Sequence, residues 1–370
     1  MAIPLFKVFM SDEAPAAVAR VLTSGYIGQG PCVEEFESQL RSHLTVPHVL
    51  TVNSCTSALH LALRLLDEAP GDEVLTTPLT CTATNWPILA NGLRLRWVDV
   101  DPQTCNMDLE DLRSKLSPRT KAVMVVHWGG NPIDLDGLKH IVSDGRALER
   151  QIPVIEDCAH AFGSSYKGRP IGGHGNFACF SFQAVKLVTS VDGGALITPT
   201  TEAYKRAKLL RWFGIDRESP QLDMRCEQDV PEWGYKFHMN DVSASVGMSN
   251  LKHWQRLAEI HRDNTAYYDR HLSGIPGLTL QSRRSDSISA CWLYTLRAID
   301  RDGLMRCLKE RGVMSSRVHE RNDKHTCVRQ YREALPQLDA LVSDMLCIPV
   351  GWWVTPNDRE FIVDTIRAGW

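Results

Sequence analysis

The chain reads as an α/β protein: a large domain built on a mostly parallel sheet, followed by a smaller α+β C-terminal domain. Three observations predict this. Between residues 48 and 198 short apolar runs alternate with amphipathic stretches of helical spacing, and parallel strands need crossovers of that kind, which wind right-handed and cover both faces of a sheet. From about Gly274 the alternation gives way to isolated strands and single helices. With 370 residues, 43% of them hydrophobic, the chain has material for a large core and two domains.

Taken in order, residues near 12 to 46 have helical spacing, interrupted by "SGYIGQGP", whose glycines permit close approach of backbone. Strand and helix then alternate: "HVLTVNS" with "SALHLALRLL", "DEVLTTP" with "ATNWPILANG", "LRLRWVDVD" with "LEDLRSKL", and "KAVMVVHW" with "LDGLKHIVSDGRALER", ending in the strand "IPVIEDC". After "GALIT" come the helical segments "TEAYKRAKLLRWFG" and "MNDVSASVGMSNLKHWQRLAEIHRDNTAYYDRHL". The remainder offers strands at "LTLQS" and "CWLYTLRA" and helices at "DGLMRCLKERG" and "PNDREFIVDTIRAG". The expected division is 1–255 for the large domain with its N-terminal helical segment, and 256–370 for the small one.

Composition removes several function classes. A formal net charge of −3 gives no electrostatic footprint for nucleic acid or an anionic membrane. No apolar run approaches the roughly 18 residues of a membrane span, and "MAIPLFKVFMSDEAP" lacks the pattern of a secretory leader. The 11 cysteines are scattered without a C-x-x-C pair, and Cys158, Cys179 and Cys347 lie in apolar runs. They read as reduced thiols of a cytoplasmic protein, with no metal-ligand pattern.

The chemistry is concentrated in "VIEDCAHAFGSSYKGRPIGGHGNFACFSFQAVKLVTSVDGGALIT". A buried strand delivers Asp157 at its C-terminal end, where open α/β sheets bind ligands. Lys186 sits between Ala184, Val185, Leu187 and Val188, surroundings that lower an amine's pKa and make it nucleophilic. Taken singly, each has an everyday explanation, a carboxylate capping a turn and a lysine on a surface loop. Together they match what pyridoxal phosphate needs: an amine to hold its aldehyde and an acid to keep its ring nitrogen protonated. A phosphate then calls for backbone amides at a helix N-terminus. "VNSCTSALHLAL" offers one at Ser54 to Ser57, and Ser181 offers a further hydroxyl. Small hydroxylated residues also cap helices that bind nothing.

At this point the chain resembles a known group, the DegT/DnrJ/EryC1/StrS family of pyridoxal-phosphate-dependent sugar aminotransferases, over nearly its whole length. "SGYIGQGPCVEEFE", "SCTSAL", "GDEV", "VIEDCAHAFGSSYKGRPIG", "FSFQAVKLVTSVDGG" and "GYKFHMNDVSASVG" follow the family's motifs in order. The resemblance implies the aspartate-aminotransferase-like (fold type I) large domain, a homodimer with shared active sites, and pyridoxal 5'-phosphate as cofactor. It implies that Lys186 bonds the cofactor and moves the proton, that Asp157 pairs with the ring nitrogen, and that His160 lies beside the ring. Thr56, Ser57 and Ser181 would hold the phosphate. Lys236, where many members carry Asn, would reach the neighbouring subunit's phosphate. "VVHWGGNP" also fits the family, as a structural segment.

Two positions depart from the pattern. Cys55 replaces the glycine of the phosphate turn, and Cys81 stands where an aromatic residue usually stacks on the ring, a contact worth about 1 kcal/mol; Trp86 is a candidate substitute. The implied reaction moves an amino group from an amino acid, commonly glutamate, to a nucleotide-linked keto-sugar, for amino-sugar, surface-polysaccharide or glycosylated-metabolite synthesis. Two alternatives share the fold. A keto-deoxysugar dehydratase replaces the lysine with histidine, against which Lys186 argues, and a sugar-responsive regulator has no use for Lys186 or Asp157. "LRWFGIDRES" resembles the active-site loop of 4-aminating members, with Phe213 for His. The run containing His319, Arg321, Asn322, Asp323 and His325 reads either as a solvated loop or as a contact for the donor carboxylate or the sugar diphosphate.

Overall fold

The alternating runs become, in chain order, the strands β1 (Val49–Val52), β2 (Glu73–Thr76), β3 (Arg94–Trp97), β4 (Thr120–Val126), β5 (Val154–Asp157), β6 (Ser165–Tyr166), β7 (Arg169–Pro170), β8 (Phe177–Ser181) and β9 (Gly194–Ile197). Beyond them lie β10 (Leu278–Leu280), β11 (Ser287–Ile288), β12 (Tyr294–Ala298) and β13 (Met345–Ile348). The helices are α1 (Ala14–Ser24), α2 (Pro31–Leu44), α3 (Cys55–Arg64), α4 (Thr82–Ala90), α5 (Leu109–Lys115), α6 (Leu135–Ser143), α7 (Thr201–Arg211), α8 (Asp241–Leu251), α9 (Trp254–Leu272), α10 (Arg301–Glu310), α11 (Pro336–Asp344) and α12 (Pro356–Arg367). This computed structural model describes residues 2–143, 151–219, 223 and 229–370. The expected helix over "LDGLKHIVSDGRALER" is present as α6; its last residues, 144–150, lie outside the described residues.

Seven strands form one sheet in the order β1-β9-β8-β5-β4-β2-β3. Its pairings from β8 to β3 are parallel, and β9 alone runs against its neighbours. The mostly parallel sheet is the one the alternation predicts, and it is a fold type I sheet, as the resemblance implies. Strand periodicity divides its side chains between two cores. Val123, Val125, Ala178 and Phe180 face one layer, with Phe36 and Leu40 of α2 and Leu138 and Ile141 of α6. Ala122, Met124, Phe177 and Cys179 face the other, with Leu59 of α3, Ile88 of α4 and Leu210 of α7.

A second sheet, β10-β12-β13, carries a third core together with α10 and α12. Helix α9 joins the two bodies: Leu257 and Ala258 pack in the large core, Tyr268 and Leu272 in the small one. The expected division at 255/256 falls inside this helix. Ile3, from the opposite end of the chain, packs in the small core and bridges to Val313. The long helical segment expected from 239 to 272 breaks between α8 and α9, beside Asn250, whose buried amide donates to the Thr189 carbonyl and accepts from the Ser11 amide. Strand β13 was not anticipated from "MLCIPV"; four apolar residues have too little period to separate strand from loop.

Candidate active site

A cavity of about 400 Å3 opens where three neighbouring strands end, lined by Val126 of β4, Asp157 of β5 and Ser181 of β8. Parallel strands point their C-terminal ends at one edge of the sheet, and the chain departing from each end leaves a crevice there. Asp157 is buried at its floor, with Oδ2 accepting from the Thr84 hydroxyl at 2.7 Å and Oδ1 from the Ala159 amide at 3.0 Å. Burial raises its pKa; the Thr84 and Ala159 hydrogen bonds and the Lys186 charge oppose the rise.

Lys186 lines the same cavity. Some of its surface remains accessible, yet enough protein surrounds the amine that burial lowers its pKa to about 8, against the opposing pull of Asp157, Cys55 and Cys81. A usable fraction of free amine therefore exists near neutral pH.

The opposite wall is the start of α3. Ser54 caps the helix, its hydroxyl accepting from the Ser57 amide at 3.1 Å. The first-turn amides of Cys55 and Thr56 have no intrahelical acceptor, and they stand at the positive end of the helix dipole. Cys55 replaces the expected glycine without strain: it is not among the residues with positive φ, and its thiol is buried against the Cys179 carbonyl. The close approach is made by Gly194 of β9, where a Cβ would come within 2.5 Å of the Cys55 nitrogen. Thr56 and Ser181 line the cavity. Ser57 does not; its hydroxyl donates to Asn53 Oδ1 at 2.6 Å.

The third wall is aromatic and comes partly from the other end of the chain. His160 stacks on Trp292 with ring centroids 4.1 Å apart, and Phe6 stacks on Trp292 at 5.1 Å. His160 Nδ1 accepts from the Gly129 amide, leaving Nε2 to carry the proton of a neutral ring. Burial, with the Lys186 and His319 charges, holds its pKa well below the usual histidine value. His319 also lines the cavity, its pKa lowered to about 4 by burial, and its Nε2 is buried without a hydrogen-bond partner among the described residues. Sequence reasoning did not find Thr84, Phe6, Gly194 or Trp292. Thr84, Gly194 and Trp292 lie in the quoted "ATNWPILANG", "FSFQAVKLVTSVDGG" and "CWLYTLRA", but nothing local gives any of them, or Phe6, a place in the site.

Trp86 does not occupy the place of the missing aromatic residue. It packs edge-on to His325 outside the cavity wall, while Cys81 lies in the wall. The polar run from 319 to 325 is neither a solvated loop nor a set of free anion-binding groups. Arg321 is neutralised by Asp323 and Asp339, and Asn322 ties down the turn before α4 through Pro78, Thr80 and Asn85. Only His319 of that run reaches the cavity lining.

Lys236 is exposed and lies outside the cavity of its own chain. It bridges Trp212 through the backbone, and the Phe213 amide donates to the Tyr235 carbonyl. The Phe213 loop and Lys236 therefore form one ribbon, whose backbone abuts Asn53 ahead of the phosphate-type turn.

The family model described as the DegT/DnrJ/EryC1/StrS aminotransferase family matches residues 9–367. Among solved structures, AtS13 from Actinomadura melliaura is 50% identical, with a TM-score of 0.97 over 100% of this chain and 99% of that one. The sugar aminotransferase CalS13 from Micromonospora echinospora is 47% identical, with a TM-score of 0.96 over 100% of both chains. The PLP form of Spr1654 from Streptococcus pneumoniae is 26% identical, with a TM-score of 0.92 over 100% of this chain and 98% of that one.

Proposed function

The chain belongs to the DegT/DnrJ/EryC1/StrS aminotransferase family, and on that premise we propose that it is a pyridoxal-phosphate-dependent sugar aminotransferase, with an amino acid, glutamate by this reading, as donor and a nucleotide-linked keto-sugar as acceptor. The observation that carries this is the meeting of Lys186, Asp157 and the α3 N-terminus around one cavity.

The residues present suit the cofactor. Asp157 is a buried carboxylate with two neutral hydrogen-bond donors and no salt-bridge partner among the described residues, a deficit that a protonated ring nitrogen would make good. The uncommitted amides of α3, with Thr56 and Ser181, suit a phosphate. When bound, pyridoxal phosphate supplies an aldehyde that carries the amino group and a ring that accepts the electron pair of a breaking C–H bond. Lys186 Nζ would hold the aldehyde and, once released, take and return the proton at the substrate carbon. Asp157 would stabilise the ring-nitrogen proton. The neutral His160 would offer its Nε2–H to the bound cofactor, and the apolar faces of Trp292 and Phe6 would limit water.

A panel of keto-sugar nucleotides offered with glutamate, read by product mass, tests the reading. An amine in place of a ketone is expected for at least one member. Loss of oxygen without gain of nitrogen would mean a dehydratase instead, and binding without turnover a regulator. Among the described residues no helix is long and apolar enough to cross a membrane; we take the enzyme to act in the cytoplasm.

The exposed ribbon bearing Lys236 and Phe213 supports a homodimer in which these residues serve the partner's site. Mixing Lys236→Ala chains with Lys186→Ala chains is the check. In a heterodimer the Lys236→Ala chain keeps Lys186 and receives an intact Lys236, so one site is whole. Activity after subunit exchange is expected to exceed that of the Lys236→Ala protein alone. No rise, with exchange demonstrated, would place Lys236 in its own subunit's service.

A further inference from the structure

We propose that Trp292 is the resting place of the Lys186 amine, a positioning residue that keeps the freed lysine beside the reacting atoms while it is not bonded to the cofactor. The inference rests on reading Lys186 as the reactive amine.

Among the described residues Lys186 Nζ has neither a hydrogen-bond acceptor nor a carboxylate within salt-bridge distance, and its close neighbour is the Trp292 indole, whose ring centroid lies 3.8 Å away. An indole face attracts a cation through its quadrupole, most strongly where water is scarce. The same indole also grips the backbone next door: Nε1 donates to the Val185 carbonyl at 3.1 Å. One side chain thus holds both the chain leading into Lys186 and the tip of its amine.

The indole itself is well anchored. Its two stacking partners, His160 and Phe6, come from separate parts of the chain. The backbone around it is docked on the large domain, where the Leu293 amide donates to the Gly129 carbonyl at 3.3 Å, and on α9, where the Cys291 carbonyl lies 3.1 Å from His261 Nδ1. Cys291 adopts a left-handed φ of 52° at the turn into Trp292. Gly130 makes the docking possible, since a Cβ there would meet the His160 carbonyl at 2.7 Å and Ala290 Cβ at 3.1 Å. This gives "VHWGGNP" a use: its glycine leaves room for the segment that carries Trp292. Phe6 is brought over by a strap tied down by Ile3 at Val313 and by the Pro4 carbonyl at Trp353 Nε1.

The consequence for the reaction is specific. With the amino group carried by the cofactor, Lys186 would be released and would have to stay close enough to move the proton. An ammonium with no carboxylate partner would otherwise swing toward water at the cavity mouth. The indole holds the cation and releases the neutral amine, for which it has little affinity, so the lysine is retained when charged and free to react when not. The charged or titratable groups that bear on this amine are Asp157 at the end of β5, Cys55 at the start of α3, Cys81 ahead of α4, and the neutral imidazoles His160 and His319.

The test installs tryptophans carrying one, two or three ring fluorines at position 292 alone, which weakens cation binding at nearly constant shape. Labelling of Lys186 by an amine-reactive reagent in the cofactor-free full chain is followed against pH by peptide mass. Proton affinity of Lys186 is expected to fall stepwise, about 3- to 10-fold across the series, so labelling at neutral pH rises. A flat series overturns the proposal. Trp292→Leu and Trp292→Phe supply the second arm, read by the donor half-reaction with glutamate. About a 10-fold loss is expected for Leu and less than about 3-fold for Phe, which keeps a ring face. If Leu instead drives the Lys186 proton affinity up, the indole only excludes water and the idea is wrong. If the label and the cofactor bond map to a lysine other than Lys186, it is the reading of Lys186 that fails.

Discussion

Replacing Lys186 with alanine is expected to abolish transamination while leaving the fold intact. Lys186 lines a cavity and, among the described residues, its side-chain amine makes no hydrogen bond, so its loss removes the amine and no part of either large-domain core. Borohydride should fix the cofactor to the wild-type chain on the peptide containing Lys186 and fail to do so in the variant; a label on another peptide would refute the assignment. The substitution has a second signature. The lysine's pKa is about 8 in the folded, cofactor-free chain and 10.5 when unperturbed. The unfolded chain therefore binds more protons between those values, and wild-type stability should rise with pH across that window. Lys186→Ala should flatten that rise, which thermal melts of the cofactor-free protein from pH 7 to 10.5 would reveal.

Asp157→Asn is expected to lower turnover on the order of 100-fold or more, the usual scale for deleting one oriented charge from a reaction site, while cofactor is still bound. An amide cannot stabilise a protonated ring nitrogen, but the α3 amides and Ser181 that suit the phosphate are untouched. The fold should tolerate the change, because burial already disfavours the Asp157 charge and the amide keeps an acceptor for Thr84 or Ala159. Equilibrium binding of the cofactor and the rate of the glutamate half-reaction separate the two effects. Turnover near that of wild type would exclude Asp157 from the proposed role.

Much of this site was legible without coordinates because its parts are local patterns. A strand ending in Asp157, a small-residue turn opening α3, and a lysine among apolar neighbours each announce themselves within a few residues. The alternation of runs specified the sheet, since a segment's period reports which of its faces are buried. Readings failed where one segment's environment is set by another. The polar run from His319 to His325 reads as a solvated loop or an anion contact because nothing in it reveals that Pro78, Thr80, Asn85 and Asp339 accept or donate to it. Cys55 departs from the family's glycine, and the residue that makes the close approach possible is Gly194, on the neighbouring strand β9.

The order of motifs was thus enough for the fold type, the family and the candidate amine, acid and phosphate turn, because backbone geometry and apolar period act over a turn of helix or a few strand residues. Packing across distant segments was needed for the rest. Trp292 meets Lys186 only because β12 folds back on the large domain, and Phe6 meets Trp292 only because the N-terminal strap is tied to the small one. Those contacts join residues more than 100 positions apart, where no local period carries information. Burial, and with it the lowered pKa of Lys186 and the raised pKa of Asp157, is a property of everything that surrounds a group, and it exists only once the two ends of the chain have closed over the sheet.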